Sequence, residues 1–81
     1  MNNNLSKDYS VVEILIFCTS IQPEDVYKIS EKLNNLQGVL NWSVDHEDWE
    51  KVLRIESAGI SSSQIIDIIS QTGIEIKVMP Y

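Results

Sequence analysis

Hydrophobic positions along this chain follow two different periods. Residues 11–19, both arms of residues 38–57 and residues 74–79 carry apolar side chains at alternate positions or in a continuous run, which predicts four strands. Residues 23–37 and 61–72 carry them at a step of three to four, which predicts two helices. The predicted order of elements is therefore β-α-β-β-α-β.

The first predicted strand is apolar on both faces, whereas the other three are apolar on one. A strand of the first kind belongs in the middle of a sheet. With right-handed crossover connections, this placement predicts an antiparallel sheet in strand order 4-1-3-2 with both helices on one face. The predicted fold class is α+β.

We assign the two faces of the sheet from the polarity of each strand row. In the first strand, the row with Glu13 is assigned to the open face because it is the only row with a charge. The helix-covered face is then expected to hold Ile14, Ile16, Leu40, Trp42, Val44, Leu53, Ile55, Ile74, Ile76 and Val78. An apolar patch with a charged rim remains on the open face, and such a patch is typical of an interaction surface. Its residues are Leu15, Phe17, Val52 and Arg54. Alternatively, the N-terminus, or Met79 and Tyr81, folds over this patch.

Both predicted helices have recognisable ends. Pro23 suits the first position of the first helix, and Ser61 and Gln64 have the spacing of a capping box at the start of the second. Gly38 and Gly73 suit the left-handed positions that follow helix ends.

Length and charge narrow the classes of function. The 81 residues suffice for one domain with a modest core, and we expect a disordered N-terminal tail at residues 1–9 before a single domain at residues 10–81. A net charge of −6 disfavours a nucleic-acid partner. The chain has one cysteine and no stretch typical of a signal peptide or a bilayer span, so we expect a soluble cytoplasmic protein without membrane contact.

A helix that closes in Gly38-Val39 and a strand that ends in Val44-Asp45 follow the first strand and its loop. In these features the chain resembles the heavy-metal-associated domain family, the ferredoxin-like modules of copper chaperones and metal-pumping ATPases. The resemblance covers residues 11–78 and implies a ferredoxin-like fold.

Members of that family bind soft metal ions through a Cys-x-x-Cys pair at the turn from the first strand into the first helix. Counting back from Gly38, the matching positions are Gln22 and Asp25, and neither is a cysteine. The resemblance therefore implies a degenerate member, and we expect no bound metal and no cofactor. Cys18 lies four residues before Gln22, and we expect it to fill the core on the helix-covered side, with a reactive or ligand role as the alternative.

One further cluster stands at residues 45–50, which combine four carboxylates with the only histidine. This sequence suits either a solvated acidic turn or a weak oxygen-ligand site for a hard cation. Trp49 in this turn is either a lid over the hairpin or an exposed contact residue. The predicted topology brings no nucleophile, acid and base together, so we expect no enzymatic activity.

Three functions remain open at this point. The leading hypothesis is a non-enzymatic module that binds a protein partner or forms a homodimer through the open sheet face. The first alternative is a metal-binding or metal-trafficking domain that uses oxygen ligands, at Gln22 and Asp25 or in the acidic turn. The second is a small-molecule-sensing regulatory domain of the amino-acid-binding type, with its ligand beside the first loop.

Overall fold

The computed structural model describes residues 12–47 and 51–80, and within them the chain forms four strands and two α-helices. The strands are β1 (Glu13–Thr19), β2 (Val39–Asp45), β3 (Lys51–Ser57) and β4 (Ile76–Val78). A short 3₁₀ turn over Pro23–Asp25 leads into helix α1 (Val26–Asn34), and helix α2 spans Ser62–Ser70. This confirms the predicted order of elements. The predicted tail at residues 1–9 lies outside the described residues.

The strands form one antiparallel sheet in the order β2-β3-β1-β4. This is the predicted order 4-1-3-2 read from the other edge. Strand β1 lies between β3 and β4, as its two apolar faces predicted.

The core lies between one face of the sheet and both helices. Its buried residues form a single cluster: Phe17, Ile21, Ile29, Leu33, Leu53, Ile55, Ile60, Ile65, Ile69 and Ile74. Because residues of α1, α2 and the sheet all belong to this cluster, both helices cover the same face. The α+β class is therefore established, with the opposite face of the sheet left uncovered by either helix.

Strand β1 faces the opposite way from the prediction. Phe17 pairs with Leu53 and Leu15 with Ile55, and directly paired residues share a face of the sheet. Phe17 is 0% exposed, and Leu15 packs against the core. The prediction that Leu15 and Phe17 form an exposed patch is therefore wrong.

The other row of β1 lies on the open face. Ile14 and Ile16, which were predicted to face the helices, pair with Glu56 and Arg54 instead. Glu13 suggested the wrong facing because it lies at the end of the strand, where a charge reaches water from either face and is exposed here. A shift of one residue in facing reverses every side chain of a strand, so the whole row is exchanged.

The facing predicted for the other strands is confirmed at every residue except Leu40. Trp42 and Val44 pair with the core residues of β3, and Ile74 is buried just before β4. Val78 pairs with Phe17 and shares its face, although it is 49% exposed because β4 forms the edge of the sheet.

A β-bulge interrupts the start of β2. Val39 pairs with Ser57 and Asn41 with Glu56, so Leu40 is the extra residue of the bulge. Leu40 is 51% exposed, and Val39 packs against the core in its place. The prediction of Leu40 as a core residue is wrong, because the extra residue of a bulge breaks the strict alternation of side chains between the two faces of the sheet.

The predicted start of the second helix is confirmed, whereas α1 ends at Asn34, three residues earlier than predicted. The Gln64 N–H donates to Ser61 Oγ at 3.2 Å, and the Ser61 N–H donates to Gln64 Oε1 at 2.9 Å, which completes the capping box. Gly38 has a φ of 102°, and a Cβ there would lie 3.2 Å from the Ala58 carbonyl oxygen. Within the described part of the chain, no helix is long and apolar enough to cross a membrane.

Candidate functional site

The open face of the sheet carries an apolar row along β1. Val12 and Ile14 are 43% and 49% exposed, and Ile16 is half-buried. Val52 of β3 pairs with the next open-face residue of β1 and is also half-buried. We call these four residues the open-face strip: Val12, Ile14, Ile16 and Val52.

Charged side chains of both signs flank the open-face strip. Glu56 pairs with Ile14, and Arg54 pairs with Ile16. Lys77 extends from β4 on the other side of β1, and Asp45 pairs with Val52 from β2. The face therefore combines an apolar centre with a mixed-charge rim, as protein-binding surfaces do.

Two of the four predicted contact residues lie on this face and two do not. Val52 and Arg54 are there, whereas Leu15 and Phe17 lie under the helices. One feature of the sequence would have predicted the correct facing of β1. Ile21 has the same parity as Leu15 and Phe17, and it is buried where the chain turns into the first helix. If the odd-numbered residues that precede Ile21 face the same side as Ile21, then Phe17 belongs to the core and the even-numbered residues lie on the open face.

Gln22 and Asp25, the two positions predicted to correspond to the metal-binding cysteines of the heavy-metal-associated family, are engaged in the start of the first helix. The Gln22 N–H donates to Asp25 Oδ2 at 3.2 Å, and the Asp25 N–H donates to the Gln22 carbonyl oxygen at 2.8 Å. Lys28 Nζ lies 3.4 Å from the other Asp25 oxygen. Both carboxylate oxygens thus stabilise the helix start, and this neutral and hard donor set does not fit a soft metal ion.

The structure describes residues 45–47 of the acidic turn. The Glu47 N–H donates to Asp45 Oδ1 at 2.9 Å, so the Asp45 carboxylate shapes the turn. His46 Nδ1 is buried and has no hydrogen-bond partner among the described residues. The remaining residues of the turn, including Trp49, lie outside the described residues. Within the described ranges, no group of three or more His, Cys, Asp or Glu residues could hold a metal ion.

Cys18 lies on the open-face side of β1 and not toward the helices. It pairs with Val52 on one side and Lys77 on the other, and it is 6% exposed. This corrects its predicted facing, for the same one-residue reason as in the rest of β1.

A groove of about 270 Å³ lies where β1 ends beside the start of β4. It is lined by Cys18, Thr19, Ser20, Glu75, Ile76 and Lys77. The Ser20 N–H donates to the Glu75 carbonyl oxygen, and the Glu75 N–H donates to Ser20 Oγ, both at 3.0 Å. These bonds fix the first loop against β4 and hold the groove in shape.

Comparisons with protein-family models, with curated proteins and with solved structures gave no match. The function is therefore inferred from the fold and the surfaces described above.

Proposed function

We propose that this chain is a non-enzymatic interaction module that binds a protein partner or a second copy of itself through the open face of its sheet. The supporting observation is the open-face strip. A sheet face in contact with water normally presents polar residues, yet this row carries Ile14 and Ile16 of β1, preceded by Val12 just before the strand, with high exposure at its start. Contiguous exposed apolar residues with a charged rim mark interaction sites on small proteins.

The strand order and the single helix-covered face support a ferredoxin-like fold and the resemblance to the heavy-metal-associated family. The use of Gln22 and Asp25 in a helix cap supports a degenerate member without thiolate metal capture. With Gln22 and Asp25 used in the cap, the open face of the sheet is left as the principal binding surface of the module.

Replacing Ile14 by glutamine tests this proposal. The variant Ile14→Gln removes apolar area from the strip without changing net charge, and the fold should persist because Ile14 is half-exposed and lies on the face of the sheet opposite the helices. We expect association through this face to weaken about ten-fold, measured by sedimentation velocity for self-association and by cross-linking mass spectrometry for partners.

The matched control is Tyr27→Gln on α1, where the side chain is 62% exposed away from the strip. This control should associate like the wild type. Identical behaviour of wild type and Ile14→Gln in both assays would overturn the proposal. So would nuclear Overhauser contacts between Ile14 methyl groups and residues 1–11 in the free protein, because the chain itself would then cover the strip.

The groove beside the first loop favours a second candidate function, small-molecule sensing. Glu75 and Lys77 both line it, and they extend to the same side of β4 because they are two residues apart. A carboxylate and an ammonium group at this spacing suit the two charges of a free amino acid.

This candidate is tested by NMR titration with a mixture of the standard amino acids. Specific binding should shift the amide signals of Ser20, Glu75 and Lys77 in a saturable way. The variant Lys77→Met should remove the effect, while Lys32→Met in the last turn of α1 should keep it. Small shifts spread over the whole chain would reject small-molecule sensing at this groove.

A further inference from the structure

Strand β2 is an edge strand, and its pairing pattern shows which of its backbone groups remain available. The Ser20 and Met79 N–H groups donate to the carbonyl oxygens of Glu75 and Ile16, so the even-numbered residues of β1 bond to β4. Alternation across an antiparallel sheet then directs the odd residues of β1 to β3 and the even residues of β3 to β2. On β2, it follows that the N–H and C=O groups of Trp42 and Val44 point away from the sheet.

The two edges of the sheet differ in how they are protected. Natural proteins guard edges with short strands, lysine and proline. Strand β4 has only three residues, contains Lys77 and is followed by Pro80. Strand β2 has seven residues without lysine or proline, and its only irregularity is the bulge at its start. Among the described elements, no strand covers its outer side, so a regular edge over residues 41–45 is left available.

Helix α1 does not close over this edge. A groove of about 230 Å³ separates the end of the helix from β2, and its lining includes Asn34 and Trp42. The Trp42 indole N–H donates to Asn34 Oδ1 at 2.9 Å, which holds the ring against the helix and keeps it from lying across the edge.

We propose that β2 pairs with β2 of a second copy of this chain, in an antiparallel arrangement with its two-fold axis at Ser43. In this register Trp42 lies opposite Val44 of the second copy, and each such pair exchanges both of its outward backbone hydrogen bonds. The sheets of the two copies then form one continuous sheet.

The side chains of β2 complement themselves in this register. Trp42 and Val44 make an aromatic and β-branched pair on the helix side, which is a favourable cross-strand combination. On the open side, Asn41 lies opposite Asp45, so an amide donor meets the only charge of the segment. The Asp45 side chains of the two copies are not opposite each other, and Ser43 lies opposite Ser43 of the second copy at the axis. A two-fold interface requires this kind of self-complementarity.

The variant Ser43→Asp tests the register directly. Within one copy the new carboxylate lies beside Arg54, with which Ser43 pairs, so the monomer should remain folded. Across the axis it faces its own copy, and like charges directly opposite each other are destabilising. We expect the dissociation constant from sedimentation velocity to rise about ten-fold, whereas the neutral control Ser43→Asn should bind like the wild type.

Two further measurements separate pairing from a general loss of stability. A mixture of Ser43→Asp with Ser43→Lys should form heterodimers in native mass spectra, because opposite charges then meet at the axis. In the wild type, hydrogen exchange at the Trp42 and Val44 amides should slow as the protein concentration rises. The variant Val44→Pro removes an outward donor and no donor that bonds to β3, and it should abolish pairing while circular dichroism stays native.

The possible outcomes distinguish this inference from the proposed function. Dimers lost in Ser43→Asp and kept in Ile14→Gln support β2 pairing. Dimers lost in Ile14→Gln and kept in Ser43→Asp form through the open face and overturn it. A wild type that stays monomeric up to about 1 mM also overturns it.

Discussion

At the residue scale, Phe17 decides which face of β1 the helices cover. Both rows of the strand are apolar, so period-two alternation has two solutions that differ by one residue. The structure selects the solution in which Phe17 is fully buried and Ile14 is about half-exposed. The charge of Glu13 carries no information on this choice, since it lies at the exposed end of the strand.

Two alanine substitutions on the same strand test this facing. Phe17→Ala leaves a cavity between the sheet and both helices, and we expect the free energy of unfolding in urea to fall by about 3 to 5 kcal/mol. Ile14→Ala removes a side chain that water already reaches, and we expect a change of about 0.5 kcal/mol. Since a small domain has a total stability of about 5 to 15 kcal/mol, an unfolded Phe17→Ala variant also agrees with burial. Equal losses, or a larger loss for Ile14→Ala, would contradict the facing of β1.

At the element scale, helix starts and strand order could be predicted because they depend on short-range chemistry and general connection rules. Ser61 and Gln64 satisfy each other's backbone within four residues, so the sequence alone reveals the cap. The bulge at Leu40 could not be predicted in this way. A bulge adds one residue without a change in composition, and only the pairing of β2 with β3 reveals which residue is extra.

The candidate surface was predictable on β3 and not on β1, for a reason visible in their patterns. In β3, Leu53 and Ile55 form the one strongly apolar row, so the assignment of Val52 and Arg54 to the open face was secure. In β1 both rows are apolar, so the pattern did not show which row faces the core. The predicted strand order already made β2 an edge strand, but the sequence did not show which of its backbone groups point outward, because their direction depends on hydrogen-bond parity across the whole sheet.

At the scale of the whole molecule, the open-face strip and the β2 edge belong to the same sheet. Pairing of two β2 strands would bring both open faces to the same side of a wider sheet. Each copy carries a net charge of −6, so either mode of self-association must overcome repulsion between two acidic molecules.

This repulsion predicts that salt strengthens self-association. The shortest principal extent of the molecule is 19 Å, so the centres of two touching copies lie at least that distance apart. Raising the ionic strength from about 0.01 M to about 0.1 M shortens the Debye length from about 30 Å to about 10 Å, so screening of the net charges becomes effective at that separation. We expect dimerisation measured by sedimentation velocity to become about ten-fold tighter over this range.

A less acidic variant provides the control for this charge effect. Glu31→Gln combined with Asp67→Asn removes two exposed carboxylates that lie on the helices and on neither proposed surface, and it changes the net charge from −6 to −4. Since the repulsion scales with the product of the charges, the salt dependence should fall by about half. If salt instead weakened the wild-type dimer, specific opposite-charge pairs at the rim, such as those available to Arg54 and Lys77, would dominate the interface. The open-face strip would then be a minor contributor to association, because burial of apolar area does not weaken with added salt.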